Sequence, residues 1–158
     1  MPQASFPGPS FPAYPAITLE YPEGWEPRPV VDAVLAVLDD RGPDAFSPNV
    51  VVGITRAGRD VTLSTAADAL QTEVAGLREV APVDAAQVSF DGASWFVSEF
   101  AYVSEAAGTI MQVVAVAAVG NGPFTDVVRV TGTASPADVE ESLPVIRRII
   151  ASTRIAAV

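Results

Sequence analysis

The stretch Val88–Val119, VSFDGASWFVSEFAYVSEAAGTIMQVVAVAAV, constrains the possible folds of this chain more than any other. Two tight turns, Asp91-Gly92 and Ala107-Gly108, cut it into three apolar-rich segments. Asp-Gly between such segments signals a hairpin, because the turn that matches strand twist needs positive φ. Side chains alternate across a strand. Over Trp95–Val103 this puts Phe96, Phe100 and Tyr102 on one face and Trp95, Val97, Ala101 and Val103 on the other. Glu99 interrupts the second face and is expected near an edge or rim. Thr109–Val119 is apolar on both faces except at Gln112, whose amide needs partners if it is buried. The stretch therefore reads as a three-strand meander that organises the core.

Around it, Ile17–Tyr21 alternates as a half-buried strand, and Trp25 follows on the core rim. Val30–Leu38 fits a helix (Val30, Val34, Leu38) nearly as well as a strand, and its valine density and length favour the strand. Val50–Thr55 is a continuous apolar run of the kind that is covered on both faces, and Arg56–Asp60 reads as a polar turn. Thr65, with Asp68 three positions on, is the expected N-cap of an amphipathic helix whose Leu70, Val74 and Leu77 share a face. Ala86–Phe90 opens the meander, and Asp126–Thr133 is the last strand. Ser135 is expected to cap a final helix with Pro136 at its first position, and Pro144 to kink or restart it. The resulting class is α+β: an antiparallel sheet of about six to seven strands flanked by helices. Residues 1–15, with five prolines, read as a flexible tail or an arm along an edge. Residues 16–158 read as a single domain.

Composition removes several function classes. The net charge is −10 with no basic stripe, which disfavours nucleic acid and anionic membrane surfaces. The chain has no cysteine and no histidine, so thiol chemistry, disulfides and the commonest general base and metal ligand are unavailable. No window is long and apolar enough for a membrane span. The N-terminus has no signal-peptide pattern, which suggests a cytoplasmic protein or an exported one whose signal is gone. Arginine as the sole cation and heavy Ala and Val usage suggest a GC-rich, actinobacterial genome.

A set of weaker features, in order, carries a resemblance. They are a Tyr-Pro-x-Ile start, Gly24-Trp25, the strand entry Phe46–Val52, a helix opening at Thr62-Leu63, Asp91-Gly92, Gln112 inside a long strand, and Leu143-Pro144-x-Ile146 in the last helix. Together they resemble the LpqN/LpqT-type actinobacterial proteins of the PsbP/Mog-like superfamily, across residues 14–155. The resemblance implies an antiparallel sheet flanked by helices and a non-enzymatic accessory or chaperone-like role. The lipoprotein members carry a lipid-modified cysteine, which this sequence lacks, so membrane anchoring is not implied.

The residues themselves offer no constellation for chemistry. Asp39-Asp40 lies in a turn without a calcium-loop pattern. Glu99 and Glu105 would converge only in a curled hairpin. No nucleophile elbow or phosphate loop is present. No catalytic, cofactor-binding or metal-ligating residue is expected. What remains is a surface: Trp25, Trp95, Phe96, Glu99, Tyr102, Gln112 and Phe124 are the candidate partner-binding residues. The expected function is a non-enzymatic protein-binding accessory, adaptor or chaperone-like module acting through an exposed sheet face or aromatic rim. Its partner would be another protein, with self-association compatible but not required. The alternative is a carrier of an apolar small molecule or lipid between sheet and helices.

Overall fold

A computed structural model describes residues 1–156; the last two positions of the expected domain lie outside the described residues. The element order is β1 (Ala16–Thr18), β2 (Glu26–Pro27), β3 (Leu35–Leu38), β4 (Asn49–Gly58), α1 (Leu63–Ala75), β5 (Ala81–Phe90), β6 (Ala93–Ser104), β7 (Gly108–Asn121), β8 (Phe124–Ala134), α2 (Val139–Ala151) and β9 (Arg154–Ala156). Seven strands form one antiparallel sheet in the order β2-β3-β4-β8-β7-β6-β5. β1 and β9 pair separately. The fold is thus α+β, and the expected meander forms one end of the sheet, with β5 at its edge and β8 next to β7 at the centre.

The pleat sorts the core into two layers. Trp95, Val113, Ala115, Val128 and Val130 face α2, where Ile146, Ile149 and Ile150 close the larger cluster. Phe100, Val114 and Val116 face the other way, against Leu70 and Val74 of α1. Each fully buried aliphatic side chain contributes about 1.5–3 kcal/mol, so the three isoleucines of α2 are a main tie between helix and sheet. α2 packs on β8, β4 and β7, and α1 on β7 and β6. Neither helix packs extensively on β5.

Several expected boundaries move, each for a local reason. The N-cap of α1 is Thr62, not Thr65: the Thr62 hydroxyl accepts from the Thr65 amide, and the Thr65 hydroxyl accepts from the Thr62 amide, a reciprocal box that uses Thr in place of an acid. α2 starts at Val139, not after Ser135, because Asp138 turns back to accept from the Ser135 amide at 2.9 Å. It then runs unbroken through Pro144 rather than restarting there.

Val30–Val34 is not strand. Asp32 has φ 65° and the Ala33 amide bonds the Val30 carbonyl, so only Leu35–Leu38 joins the sheet. The first strand stops at Thr18, after which the Glu20 amide is taken by the Ser152 hydroxyl at the end of α2. β4 is well covered only on its α2 side: Val50 and Val52 are buried there, while Thr55 on the opposite face is exposed.

Candidate functional site at the free edge of the sheet

The two edges of the sheet differ in kind. β2 is only two residues long, which leaves little backbone to pair with. β5 is ten residues long, and Ala81 through Gln87 are all exposed. Alternate N–H and C=O groups along it have no strand to meet, the usual template for adding one. Pro82 fits an edge because the missing amide costs no ladder bond there. The register slips between Pro82 and Asp84, and Val83 at that slip is 59% exposed.

Open grooves run along both faces of this edge. On the α2 side, a groove of about 290 Å³ has Ala86, Val88, Phe90 and Val97 along the sheet and Ile150 along the helix. On the α1 side, a groove of about 270 Å³ lies between Val74 and Ala75 of the helix and Pro82, Val83 and Ala85 of the strand. Asp84 borders both. It forms no ion pair among the described residues; its carboxylate accepts only from the Ala85 amide. The α2-side groove ends at Glu99, held in a two-bond clamp by Arg147 of α2 at 2.7 and 2.8 Å. That hydrogen bonding, with the attraction of Glu99 and Asp84, raises the Arg147 pKa further above its already high value.

A second polar cluster sits at the far end of the α2-side face, beyond the helix. Asp126 is fully buried and receives two bonds from Arg56, at 2.8 and 2.9 Å, and one from Asn121 at 2.8 Å. The Arg56 bonds hold its carboxyl below the ordinary range, against the opposing effect of burial. The remaining donors grip the N-terminal segment: Arg56 Nη1 donates to the Pro12 carbonyl and Asn121 Nδ2 to the Ala13 carbonyl, each at 2.8 Å. The guanidinium lies over the Tyr14 ring at 4.4 Å and the Phe124 ring at 4.8 Å. This cluster fastens the chain to itself.

The candidate residues named from the sequence do not assemble into one surface. Trp25, 8% exposed, and Trp95, 1% exposed, belong to the α2-side core and form no rim. Phe96 and Tyr102 pack on the opposite, α1-side layer. Phe124 serves the Arg56 cluster. Gln112 donates to the Thr133 hydroxyl at 3.1 Å on the neighbouring strand, so its amide has the partner it requires. Glu99 alone lies on a groove. Asp39, half-buried, and Asp40, exposed, directly follow β3 and pair with Arg41 and Arg28. Among the described residues no group of three or more Asp or Glu could hold a metal ion, and no helix is long and apolar enough to cross a membrane.

Sequence reasoning missed Ala81–Ala85, the exposed half of β5, because an edge strand need not alternate. The available signal was Pro82 followed by a charge. It also missed Arg56, which lies within β4 rather than in a turn.

No family model matches this sequence, and no curated protein matches it. Solved structures do match. LpqN of Mycobacterium tuberculosis, involved in cell envelope biogenesis, superposes with a TM-score of 0.78 at 15% identity, over 92% of this chain and 86% of that one. The fold is PsbP/Mog-like. Cyanobacterial PsbP from Synechocystis follows at TM-score 0.56 and 14% identity, covering 90% of this chain and 93% of its own. The Ran-binding protein Mog1p of Saccharomyces cerevisiae gives 0.55 and 14%, over 89% and 90%. Identities this low establish a shared PsbP/Mog-like fold, the one that the ordered sequence features resemble.

Proposed function

We propose that this chain is a non-enzymatic, protein-binding accessory module that engages its partner along the free β5 edge. The observation that carries the reading is the run of seven exposed residues on a ten-residue edge strand, opposite a sheet edge only two residues long. A long unpaired edge is a liability that proteins usually cover or shorten; one left open suits a partner. Support also comes from two PsbP/Mog-like structures, one that is Ran-binding and one involved in envelope biogenesis. The likeness to LpqN favours an exported location over a cytoplasmic one.

The carrier alternative is less well supported. Enclosed sites for small ligands usually run to about 300–1,000 Å³. The groove between α1 and the sheet, lined by Leu70, Val116 and Val127, reaches about 330 Å³ but is open to solvent, and the two edge grooves are open and smaller. They suit side chains of a partner better than an engulfed lipid.

The test is a photoreactive amino acid placed at Val83, with a control at exposed Asp44, in cells of the native host. A discrete cross-linked protein from Val83 and none from Asp44 is the expected result. Equal labelling from both positions, or none from Val83, would remove the reading. An apolar molecule retained in native mass spectrometry would favour the carrier instead.

A further inference from the structure

We infer that the β5 edge accepts an extended strand of a partner protein that carries apolar side chains on both faces and a lysine or arginine beside Asp84. The inference rests on the protein-binding reading and specifies the partner's chemistry.

A strand added to β5 would send successive side chains to opposite faces of the sheet. Each face of that edge carries its own apolar groove: Ala86, Val88 and Phe90 against Ile150 on one side, Val83 and Ala85 against Val74 on the other. A helix laid on the edge would fill one groove and leave the other empty, whereas a strand fills both. The partner residues would therefore be apolar at neighbouring positions, not at every second one.

Charge selects among such strands. Asp84 stands between the two grooves; Arg147 is near enough to feel its charge but gives its hydrogen bonds to Glu99, so Asp84 forms no ion pair among the described residues. Glu79 just before the strand and Asp91 just after it are also acidic, and the whole chain carries −10. The Asp91 carboxylate lies 3.3 Å from Arg154, but both side chains are largely exposed. A second copy of this chain would bring the same acids to the same edge, so complementarity favours a basic strand over self-pairing. The slip between Pro82 and Asp84 interrupts regular pairing, leaving Asp84–Phe90 as the continuous stretch. An unmatched strand is turned away at Asp84, and a basic one is retained.

The experiment is selection of random displayed peptides on the full chain, followed by affinity measurement of the enriched peptides as synthetic probes. Enriched sequences are expected to hold adjacent apolar residues and at least one Lys or Arg. Asp84→Lys should weaken their binding about five- to tenfold, and exchanging the peptide cation for Glu should restore affinity to that variant. Ala86→Arg, which fills the α2-side groove, should weaken binding without unfolding an exposed position. Peptides that bind Asp84→Lys as tightly as the parent, no enrichment at all, or a dimer broken by Asp84→Lys would each overturn the inference. A protein cross-linked at Val83 with no edge-dependent peptide would leave the protein-binding reading standing and remove strand addition. Failure of both would remove both.

Discussion

Gly132 lies on β8 where α2 crosses it, and the contact there is closer than any side chain allows. A Cβ at this position would meet Ile146 Cγ2 at 2.2 Å, with Ile146 Cβ and Ile150 Cδ1 at 3.5 and 3.4 Å. Ile146 is fully buried, and its Cγ2 is a branch methyl fixed to Cβ, so it cannot swing aside as a flexible tip would. Gly132→Ala must push α2 outward or force Ile146 off its rotamer. Overpacking of this kind costs about 1–3 kcal/mol, and the entropic gain from replacing glycine returns about 0.4–1 kcal/mol. A net loss of about 1–2 kcal/mol lowers Tm by about 2–8 °C for a chain of this size.

Ile146→Leu removes the offending methyl at nearly constant volume and should cost less than about 1.5 kcal/mol by itself. The double variant should then be more stable than the sum of the two losses predicts, by at least about 1 kcal/mol. Urea unfolding followed by tryptophan fluorescence measures all four proteins, and an unchanged m-value would show that the same two-state transition is compared throughout. A neutral Gly132→Ala, or strictly additive losses, would refute the steric argument.

Asp126 offers a pH test. Its folded-state pKa is depressed, first by the Arg56 hydrogen bonds. Its stabilising contribution is therefore complete above the ordinary carboxylate range and is lost as pH falls through the lower folded value. Asp126→Asn should flatten the fall in urea midpoint between about pH 5 and about pH 2 relative to the parent; parallel curves would deny Asp126 that role. Thr62→Ala removes one half of the reciprocal cap of α1 and should cost about 1 kcal/mol, with Thr62→Gly milder, read from the same unfolding curves. Trp95 carries a buried Nε1 with no hydrogen-bond partner among the described residues. Trp95→Phe gives up contact area but relieves an unsatisfied donor worth about 1–3 kcal/mol, so its net effect should stay within about 1 kcal/mol. A loss well beyond that, followed through the remaining Trp25, would show that the indole has a partner.

Much of the fold is legible in the residues because turn chemistry and pleat act locally. Asp91 and Gly92 do adopt φ of 52° and 82°, the positive values their hairpin turn requires. The alternation over Trp95–Val103 separates the two core layers as read. The same alternation rules out the aromatic rim: Trp95 and Phe96 are neighbours in sequence, so they point to opposite faces and cannot line one groove. Valine density was misleading at Val30–Val34, where the left-handed backbone at Asp32 overrides propensity. β9 and the full length of β5 were not legible, since a three-residue strand and an exposed edge need no apolar pattern. Arg56 looked like an ordinary turn residue because its partners Asp126, Asn121 and Pro12 lie far from it in sequence.

The asymmetry of the sheet is where fold and function meet. α2 is tied to β8, β4 and β7, and α1 to β7 and β6, so both helices stop short of β5. Moving either helix outward over the edge would strip cover from the buried valines of β4 and β8 or from Val114 and Val116. The helices therefore cannot close the grooves without opening the core. At the opposite end of the chain's reach, Arg56 and Asn121 spend their donors on the Pro12 and Ala13 carbonyls, which fastens the N-terminal segment away from β5. Its prolines also make poor ladder partners, so this segment is not placed to cover the edge. An open strand flanked by two grooves follows from how the helices must pack, and the acid at Asp84 decides which strands it can take.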